Sequence, residues 1–295
     1  MNTSVSSASI RSQTTIAKHA VLLGFGFWTG IDVTLDFLPA EPGSGVYFVR
    51  TDLPSAPRIP ALVTHREDKP RQTSLAVKEA RVDMVEHLLA AVRAMGVTNL
   101  EIRVSSAEIP GFDGSARPFA LALKEAGIKQ QHIPQAVRVV RDTYHFGNNQ
   151  EWIEISPSPD SVSVYQYEID YSGQDTSSGR ISNQSFKSRL TTETFLDEIA
   201  PARTFLLESE AERLRAAGLG KKVSYSDVLV FGPTGPIENH LFWENECARH
   251  KVLDMIGDFS LTDTPILGYF HARRTGHRQN AAALRELLTI LDREE

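Results

Sequence analysis

A histidine and an aspartate in the second half of the chain have the spacing of two metal ligands on one helix. His250 and Asp254 are four residues apart in the segment Trp243–Phe259, whose apolar face and lack of proline predict a helix. Side chains four residues apart lie on the same helical face, so an imidazole and a carboxylate could bind one ion there. The same spacing is also found on ordinary surface helices, so it needs support from elsewhere in the chain.

A second histidine, next to a glutamate, begins the predicted helix Val85–Met95 in the first half. If both helices faced one cleft, His87, His250 and Asp254 would form a set of two imidazoles and one carboxylate. These donors suit Zn²⁺, and Fe²⁺ accepts the same donors, so both metals stay open. Glu86 adjoins the first ligand and could take a proton from an attacking water.

Amide hydrolysis also needs a proton donor for the leaving amine. His277 follows a predicted strand and is expected in a loop, where it could serve as that donor. Asp258, one turn after Asp254, could hold His277 in its cationic form. Cys247 lies three residues before the helix-borne histidine, and it is either a further ligand or a structural thiol.

The composition favours a soluble globular protein. The chain has 295 residues, 41% of them hydrophobic and 23% charged, with a formal net charge of −6. The acidic balance and the lack of a basic run argue against a nucleic-acid partner. A single cysteine excludes an internal disulfide framework and suits a reducing cytoplasm. No apolar run approaches the ~18 residues of a membrane span, and no signal-peptide core is present. The oligomeric state is left open.

The predicted order helix, strand, loop, helix occurs twice, from Val85 to Ala126 and from Trp243 to Leu291. Within the two halves, four prolines predict that 51–80 is loop-like, and a helix is predicted over Thr204–Ala217. The fold class is therefore α+β, with two duplicated α/β sandwich domains, each a sheet plus a helix layer, and an active site in the cleft between them. The predicted domains are 1–130, with a small insert near 45–80, and 131–295, with an insert near 205–235.

Seven short motifs occur in an order that resembles one family, the UDP-3-O-acyl-N-acetylglucosamine deacetylases, zinc amidases of lipid A synthesis in Gram-negative bacteria. In chain order they are Arg50-Thr51-Asp52-Leu53, Val85-Glu86-His87-Leu88, Glu108-Ile109-Pro110, Asp113-Gly114-Ser115-Ala116, Ala202-Arg203-Thr204-Phe205, Arg249-His250-Lys251-Val252-Leu253-Asp254-Met255-Ile256-Gly257-Asp258 and Gly276-His277.

The resemblance implies a role for each site residue and a nucleotide-sugar substrate in the cytoplasm. It implies Zn²⁺ held by the two histidines and the aspartate named above, with Glu86 as general base and His277 as general acid. Thr204 would bind the oxyanion and substrate, and Lys251 would position substrate and stabilise developing charge. Phe205 would line the pocket, and Asp258 would orient the acid.

The chain departs from the family pattern at three places. Trp28 replaces a histidine in a glycine-rich turn, and Asp83-Met84 replaces Ser-Thr before the Glu-His pair. Lys222 and Val223 lie where a Gly-Gly pair is usual, which could narrow an acyl passage. Two alternatives follow: a divergent paralogue that deacetylates another N-acetylated nucleotide sugar with a short or absent acyl chain, or a non-catalytic sugar-nucleotide binding protein. The presence of both an acid and a base argues against the second.

Overall fold

The computed structural model describes residues 12–170 and 181–294. The described residues contain six α-helices, a 3₁₀ turn at Val63–His65 and a π-helical turn at Phe195–Ile199. The helices are α1 (Glu86–Ala94), α2 (Arg117–Ala126), α3 (Thr192–Thr194), α4 (Glu208–Ala216), α5 (Glu246–Asp258) and α6 (His277–Glu294). Among them, none combines the length and the apolarity that crossing a bilayer requires.

The described residues also contain twenty strands, ten in each half of the chain. In the first half they are β1 (Ser12–Ile16), β2 (Ala20–Phe25), β3 (Asp32–Pro39), β4 (Val46–Arg50), β5 (Arg58–Pro60), β6 (Arg66–Glu67), β7 (Ser74–Val77), β8 (Ala80–Asp83), β9 (Leu100–Val104) and β10 (Ile128–Pro134). In the second half they are β11 (Arg138–Val139), β12 (Tyr144–Gly147), β13 (Trp152–Ser156), β14 (Val164–Ile169), β15 (Gln184–Arg189), β16 (Phe205–Leu207), β17 (Leu229–Gly232), β18 (Gly235–Pro236), β19 (Ile266–Leu267) and β20 (Tyr269–Arg273).

Two five-stranded sheets share one topology. The first has the order β2-β3-β9-β4-β5 and the second the order β12-β13-β20-β14-β15. In each sheet the last strand in sequence lies at the centre, antiparallel to one neighbour and parallel to the other. Helix α2 packs on β2, while α5 packs on β14 and β15. This repeated sheet-and-helix arrangement confirms the predicted α+β class.

Each half also carries a small three-stranded sheet. One is β6-β7-β8 and the other is β16-β17-β18. The prediction that 51–80 is loop-like is wrong, because β5, β6 and β7 lie within it. These strands have two to four residues, too few to give a periodic signal, and Pro60 is tolerated because β5 is an edge strand. The domain boundaries themselves stay a prediction.

Two further element predictions need correction. The helix expected from Thr204 begins only at Glu208, because Phe205–Leu207 pairs in parallel with β17. His277 does not lie in a loop but is the first residue of α6, which extends to Glu294. The imidazole therefore belongs to a helix that is anchored in the core by one buried face, which includes Ala281, Leu284 and Leu287.

The two central helices, α1 and α5, pack against each other across the two halves. Nearly all of their residues are buried, and Val252, Leu253, Met255 and Ile256 are fully enclosed. The helices approach most closely at Gly257, where an added Cβ would lie 2.0 Å from the backbone oxygen of Glu86. Only a residue without a side chain fits between the two backbones. The segment that carries Glu86 is thus held directly against the segment that carries Asp254.

We expect Gly257→Ala to lower the free energy of unfolding by about 2–3 kcal/mol, because the two helices must separate to admit the methyl group. Urea denaturation measures the change. Gly276→Ala is the matched control, since its added Cβ would meet nothing closer than the Gln279 side chain at 3.8 Å. If the two variants unfold at the same urea concentration, the helices are not in contact as described.

Candidate metal centre and catalytic site

His87, His250 and Asp254 come together between α1 and α5. One potential ligand atom from each residue lies within 4.8 Å of the others, and all three residues are buried. The Oδ1 atom of Asp254 is 3.5 Å from the Nε2 atom of each histidine. Ligands about 2.1 Å from a tetrahedral zinc ion are separated from each other by about 3.4 Å. The observed spacing of these donors therefore fits a zinc-sized ion.

The His250 ring is oriented by a backbone carbonyl. Its Nδ1 atom lies 3.1 Å from the oxygen of Ala202, so Nδ1 carries the hydrogen and Nε2 is left to face Asp254. Burial lowers the pKa of His250 to about 4, although the Asp254 carboxylate opposes the shift. The imidazole is therefore neutral near pH 7, which is the form that binds a metal.

Asp254 divides its two oxygens between different partners. Oδ1 faces the histidines, while Oδ2 accepts a hydrogen bond of 2.8 Å from the Lys251 ammonium. Burial alone would raise the pKa of Asp254, but Lys251 and His250 hold it well below its usual range. Burial would lower the pKa of Lys251, and the ion pair with Asp254 outweighs it and raises that pKa. Both groups are charged at neutral pH.

Glu86 and His277 face each other beside the ligand cluster. The Oε1 atom of Glu86 is 3.7 Å from Nε2 of His277, and its Oε2 atom accepts a hydrogen bond of 3.0 Å from the backbone N–H of Thr73. Burial raises the pKa of Glu86, while His277 and His87 oppose the shift. A carboxylate with a raised pKa is a stronger base than one in water.

His277 is held by a carboxylate on its other side. Its Nδ1 atom is 2.8 Å from Oδ2 of Asp258, and the same oxygen accepts a hydrogen bond of 2.8 Å from the side chain of Asn280. Burial would lower the pKa of His277, but Asp258, Glu86 and Asp254 outweigh it and raise the pKa to about 9. His277 is therefore an imidazolium with a proton to donate at neutral pH.

Thr204 and Phe205 lie next to the His250 ring. The Thr204 hydroxyl donates to the oxygen of Gly114 at 3.0 Å and lies 3.4 Å from Nε2 of His250. The ring centroids of Phe205 and His250 are 6.0 Å apart in an edge-on arrangement. Gly114 has a φ of +76°, and an added Cβ would lie 2.7 Å from the oxygen of Asp227. A glycine is thus required where the two halves meet at Thr204.

Arg203, the residue directly before Thr204, forms a buried ion pair. The Nε atom of Arg203 is 2.8 Å from Oε1 of Glu246, the first residue of α5, and both side chains are nearly inaccessible. Glu246 also accepts from the backbone N–H groups of Arg203 and Phe242, and Arg203 donates to the carbonyl of His240. The pair ties the segment before Thr204 to the start of the ligand-bearing helix. The motif containing Arg203 was visible in sequence, but its partner 43 positions away was not.

All but one of the predicted site residues line a single cavity of about 680 Å³. Cationic side chains of both halves line it, including Lys69, Arg71, Arg274 and Arg278, and its apolar wall includes Trp28, Met84, Phe205 and Leu206. Arg71 and Glu210 bridge the two inserts at this cavity with an ion pair of 2.8 Å. Asp258 is the one predicted site residue outside this lining, because its carboxylate lies behind His277, against the Nδ1 atom.

The three departures from the family pattern have different environments. Trp28 lines the cavity, so the replacement of histidine changes its wall. Asp83 pairs with the ammonium of Lys69 at 3.0 Å, which neutralises the extra carboxylate near Glu86. Lys222 points to the surface, where its Nζ atom is 2.7 Å from Asp32. Neither Lys222 nor Val223 is among the described residues that line the cavity.

Cys247 does not join the ligand cluster, which within residues 12–170 and 181–294 consists of the two histidines and Asp254. The thiol is buried, and burial raises its pKa above the ordinary value. A thiol that stays protonated is a poor metal ligand. The structural interpretation of this cysteine therefore holds.

Comparison with known proteins gives a consistent result. A sequence model of the UDP-3-O-acyl N-acetylglycosamine deacetylase family matches residues 13–289. The UDP-3-O-acyl-N-acetylglucosamine deacetylase of Anaeromyxobacter sp. (strain Fw109-5) is 36% identical over 278 residues, covering 94% of this chain and 88% of that protein. The enzyme of the same name from Myxococcus xanthus (strain DK1622) is 34% identical, covering 94% and 87%. That from Nostoc sp. (strain PCC 7120 / SAG 25.82 / UTEX 2576) is 35% identical, covering 94% and 99%.

We expect Glu246→Gln to reduce the free energy of unfolding by about 3 kcal/mol, because it leaves the Arg203 guanidinium buried without its counter-charge. Urea denaturation provides the measurement. The control is Asp32→Asn, which removes an exposed partner of Lys222 and should cost less than about 1 kcal/mol. Equal losses of unfolding free energy in the two variants would contradict a stabilising role of the buried pair.

Proposed function

Because this chain belongs to the UDP-3-O-acyl N-acetylglycosamine deacetylase family, we propose that it hydrolyses the N-acetyl amide of a UDP-3-O-acyl-N-acetylglucosamine, a step of lipid A synthesis. The observation that carries the proposal is the convergence of three ligand donors, a buried base and a cationic acid at one cavity. A protein that only bound a nucleotide sugar would have no use for the acid and the base.

His87, His250 and Asp254 would hold the metal, for which the donor set of two neutral imidazoles and one carboxylate favours Zn²⁺ over harder ions. When bound, a zinc ion supplies a Lewis acid that polarises the amide carbonyl and makes water a better nucleophile at neutral pH. Lys251 neutralises the second oxygen of Asp254 and so keeps that ligand oriented.

Glu86 takes the proton of the attacking water in this proposal. Its carboxylate is buried, held at Oε2 by the Thr73 N–H, and open at Oε1 toward the cavity. The raised pKa makes it able to accept a proton in a reaction near neutral pH.

His277 then donates its proton to the nitrogen of the leaving amine. Its Nδ1 atom is bound by Asp258, so Nε2 is the atom that donates, and this atom faces Glu86 across 3.7 Å. The base and the acid are therefore neighbours, close enough to serve one reacting centre in the cavity. Asp258 keeps the imidazole oriented and cationic.

Thr204 stabilises the oxyanion that forms on the acetyl carbonyl. Its hydroxyl now donates to Gly114, so the O–H bond must rotate toward the cavity when the charge develops. One such donor contributes on the order of 3 kcal/mol to the transition state. The ammonium of Lys251 adds positive charge beside the same centre, and Phe205 packs against the substrate.

The cavity has both a cationic surface and an apolar surface, which suit the two parts of an acylated nucleotide sugar. Its arginine and lysine side chains suit a diphosphate, and its wall of Trp28, Met84, Phe205 and Leu206 suits an alkyl chain. We expect a cytoplasmic location, where nucleotide sugars are made. The alternative of a paralogue for unacylated sugars is not favoured by the comparisons.

Turnover of UDP-3-O-acyl-N-acetylglucosamine, compared with turnover of UDP-N-acetylglucosamine, tests the function directly. The proposal predicts rapid release of acetate from the acylated sugar and much slower release from the other. Equal rates, or release only from the unacylated sugar, would support the paralogue. A folded, zinc-loaded protein that releases no acetate from either would support the binding protein.

We expect Glu86→Gln to retain its zinc content but lose at least about 100-fold in kcat, because the amide cannot accept the proton. Metal analysis and acetate release are measured on the same sample. The matched control is Glu67→Gln, an exposed glutamate of β6. An unchanged rate would refute the assignment of Glu86 as base.

His250→Ala should lose most of its zinc, because one of three protein ligands is removed. Zinc content after dialysis against a weak chelator is the measurement, with His19→Ala, an exposed histidine that pairs with Asp36, as the control. Full zinc occupancy in His250→Ala would show that the ion is held elsewhere.

A further inference from the structure

Thr73 is a fully buried residue that directly precedes β7 in the first insert. Each of its three polar groups has a partner in the central helices or in the residue directly before α1. Its carbonyl accepts from the backbone N–H of Val85 at 3.2 Å, and its N–H donates to Oε2 of Glu86 at 3.0 Å. Its hydroxyl donates to Oδ1 of Asp258 at 2.5 Å. One residue therefore contacts the base and also the carboxylate that binds the acid.

We propose that Thr73 is a positioning residue for the deacetylation, which orients Glu86 through its backbone and Asp258 through its hydroxyl. The inference rests on the proposed roles of Glu86 and His277 as base and acid. Thr73 itself does not line the cavity among the described residues, so it acts through these two carboxylates rather than on the substrate.

The hydroxyl matters because it completes the set of donors around Asp258. Oδ2 accepts from His277 and from Asn280, and Oδ1 accepts from Thr73. Donors on both oxygens fix the plane of the carboxylate and spread its negative charge. Without the hydroxyl, the charge concentrates on the side of His277 and holds the imidazolium proton more tightly. A more tightly held proton is transferred more slowly to the leaving amine.

The charges that face His277 come from two helices. Asp258 and Asp254 project from α5, and Glu86 projects from α1. A change in the hydroxyl of Thr73 leaves all three carboxylates in place and leaves the backbone bond to Glu86 intact. The substitution therefore isolates the contact to Asp258.

Two substitutions separate the hydroxyl from the rest of the side chain. Thr73→Val replaces the hydroxyl with a methyl group of similar size, and Thr73→Ser keeps the hydroxyl while removing the methyl group. Thr73→Ala removes the hydroxyl without new bulk and replaces the valine variant if that one does not fold. Thr15→Val is the matched control, because Thr15 is also buried and, within the described residues, its hydroxyl binds only the backbone of Ala40.

The primary measurement is the titration of His277 by NMR of the zinc-loaded proteins, with the signal assigned from His277→Gln. In the parent protein, the three carboxylate neighbours raise this pKa, and the variants are compared with the parent under the same zinc loading. Thr73→Val should raise the pKa by about 0.5–1 unit, while Thr73→Ser and Thr15→Val should leave it unchanged.

The second measurement is the pH profile of acetate release. Thr73→Val should lower kcat about tenfold, move the basic limb of kcat to higher pH, and change KM less than about twofold. Thr73→Ser should restore both kcat and the position of the basic limb.

Because the NMR titration needs no turnover, it tests Thr73 even if the protein fails to deacetylate the sugar. A His277 pKa that stays in place or falls in Thr73→Val would overturn the proposal, as would a serine variant that behaves like the valine variant.

Discussion

The contact of α1 with α5 at Gly257 is the constraint on which the site depends. Since an added Cβ would lie 2.0 Å from the backbone oxygen of Glu86, the two helices are closer there than any side chain allows. His87 follows Glu86 directly, and Asp254 lies one turn before Gly257, so this crossing brings ligands from both halves within reach of one ion. The duplicated sheets support the crossing from either side, and the inserts add residues around it.

The second organising feature is the balance of charge in a buried site. Three carboxylates, those of Glu86, Asp254 and Asp258, are nearly inaccessible to solvent. Buried charges are costly unless they are paired and hydrogen-bonded. Lys251 pairs with Asp254, His277 lies between Glu86 and Asp258, and the donor set facing Asp254 suits a cation. Burial keeps His250 neutral and raises the pKa of Glu86, while the carboxylates around His277 keep that imidazole protonated. These are the forms that metal binding and amide hydrolysis require.

Local sequence patterns predicted the parts of this site that depend on helical spacing. His250 and Asp254 could be paired because four residues make about one turn, and Glu86-His87 stands out at a helix start. Their convergence followed from the repeated element order and the motif series rather than from any local signal. Thr73 could not be found, because it lies in a segment of very short strands that appeared loop-like. The Arg203–Glu246 pair likewise depends on tertiary packing between segments 43 positions apart.

X-ray absorption at the zinc edge of the metal-loaded protein most directly tests whether helices of the two halves close around one ion. We predict only nitrogen and oxygen neighbours at about 2.0–2.1 Å, with the multiple-scattering signature of two imidazoles that falls to one in His87→Ala. A sulfur neighbour at about 2.3 Å would instead place the ion on Cys247, and a spectrum unchanged in His87→Ala would separate α1 from the metal.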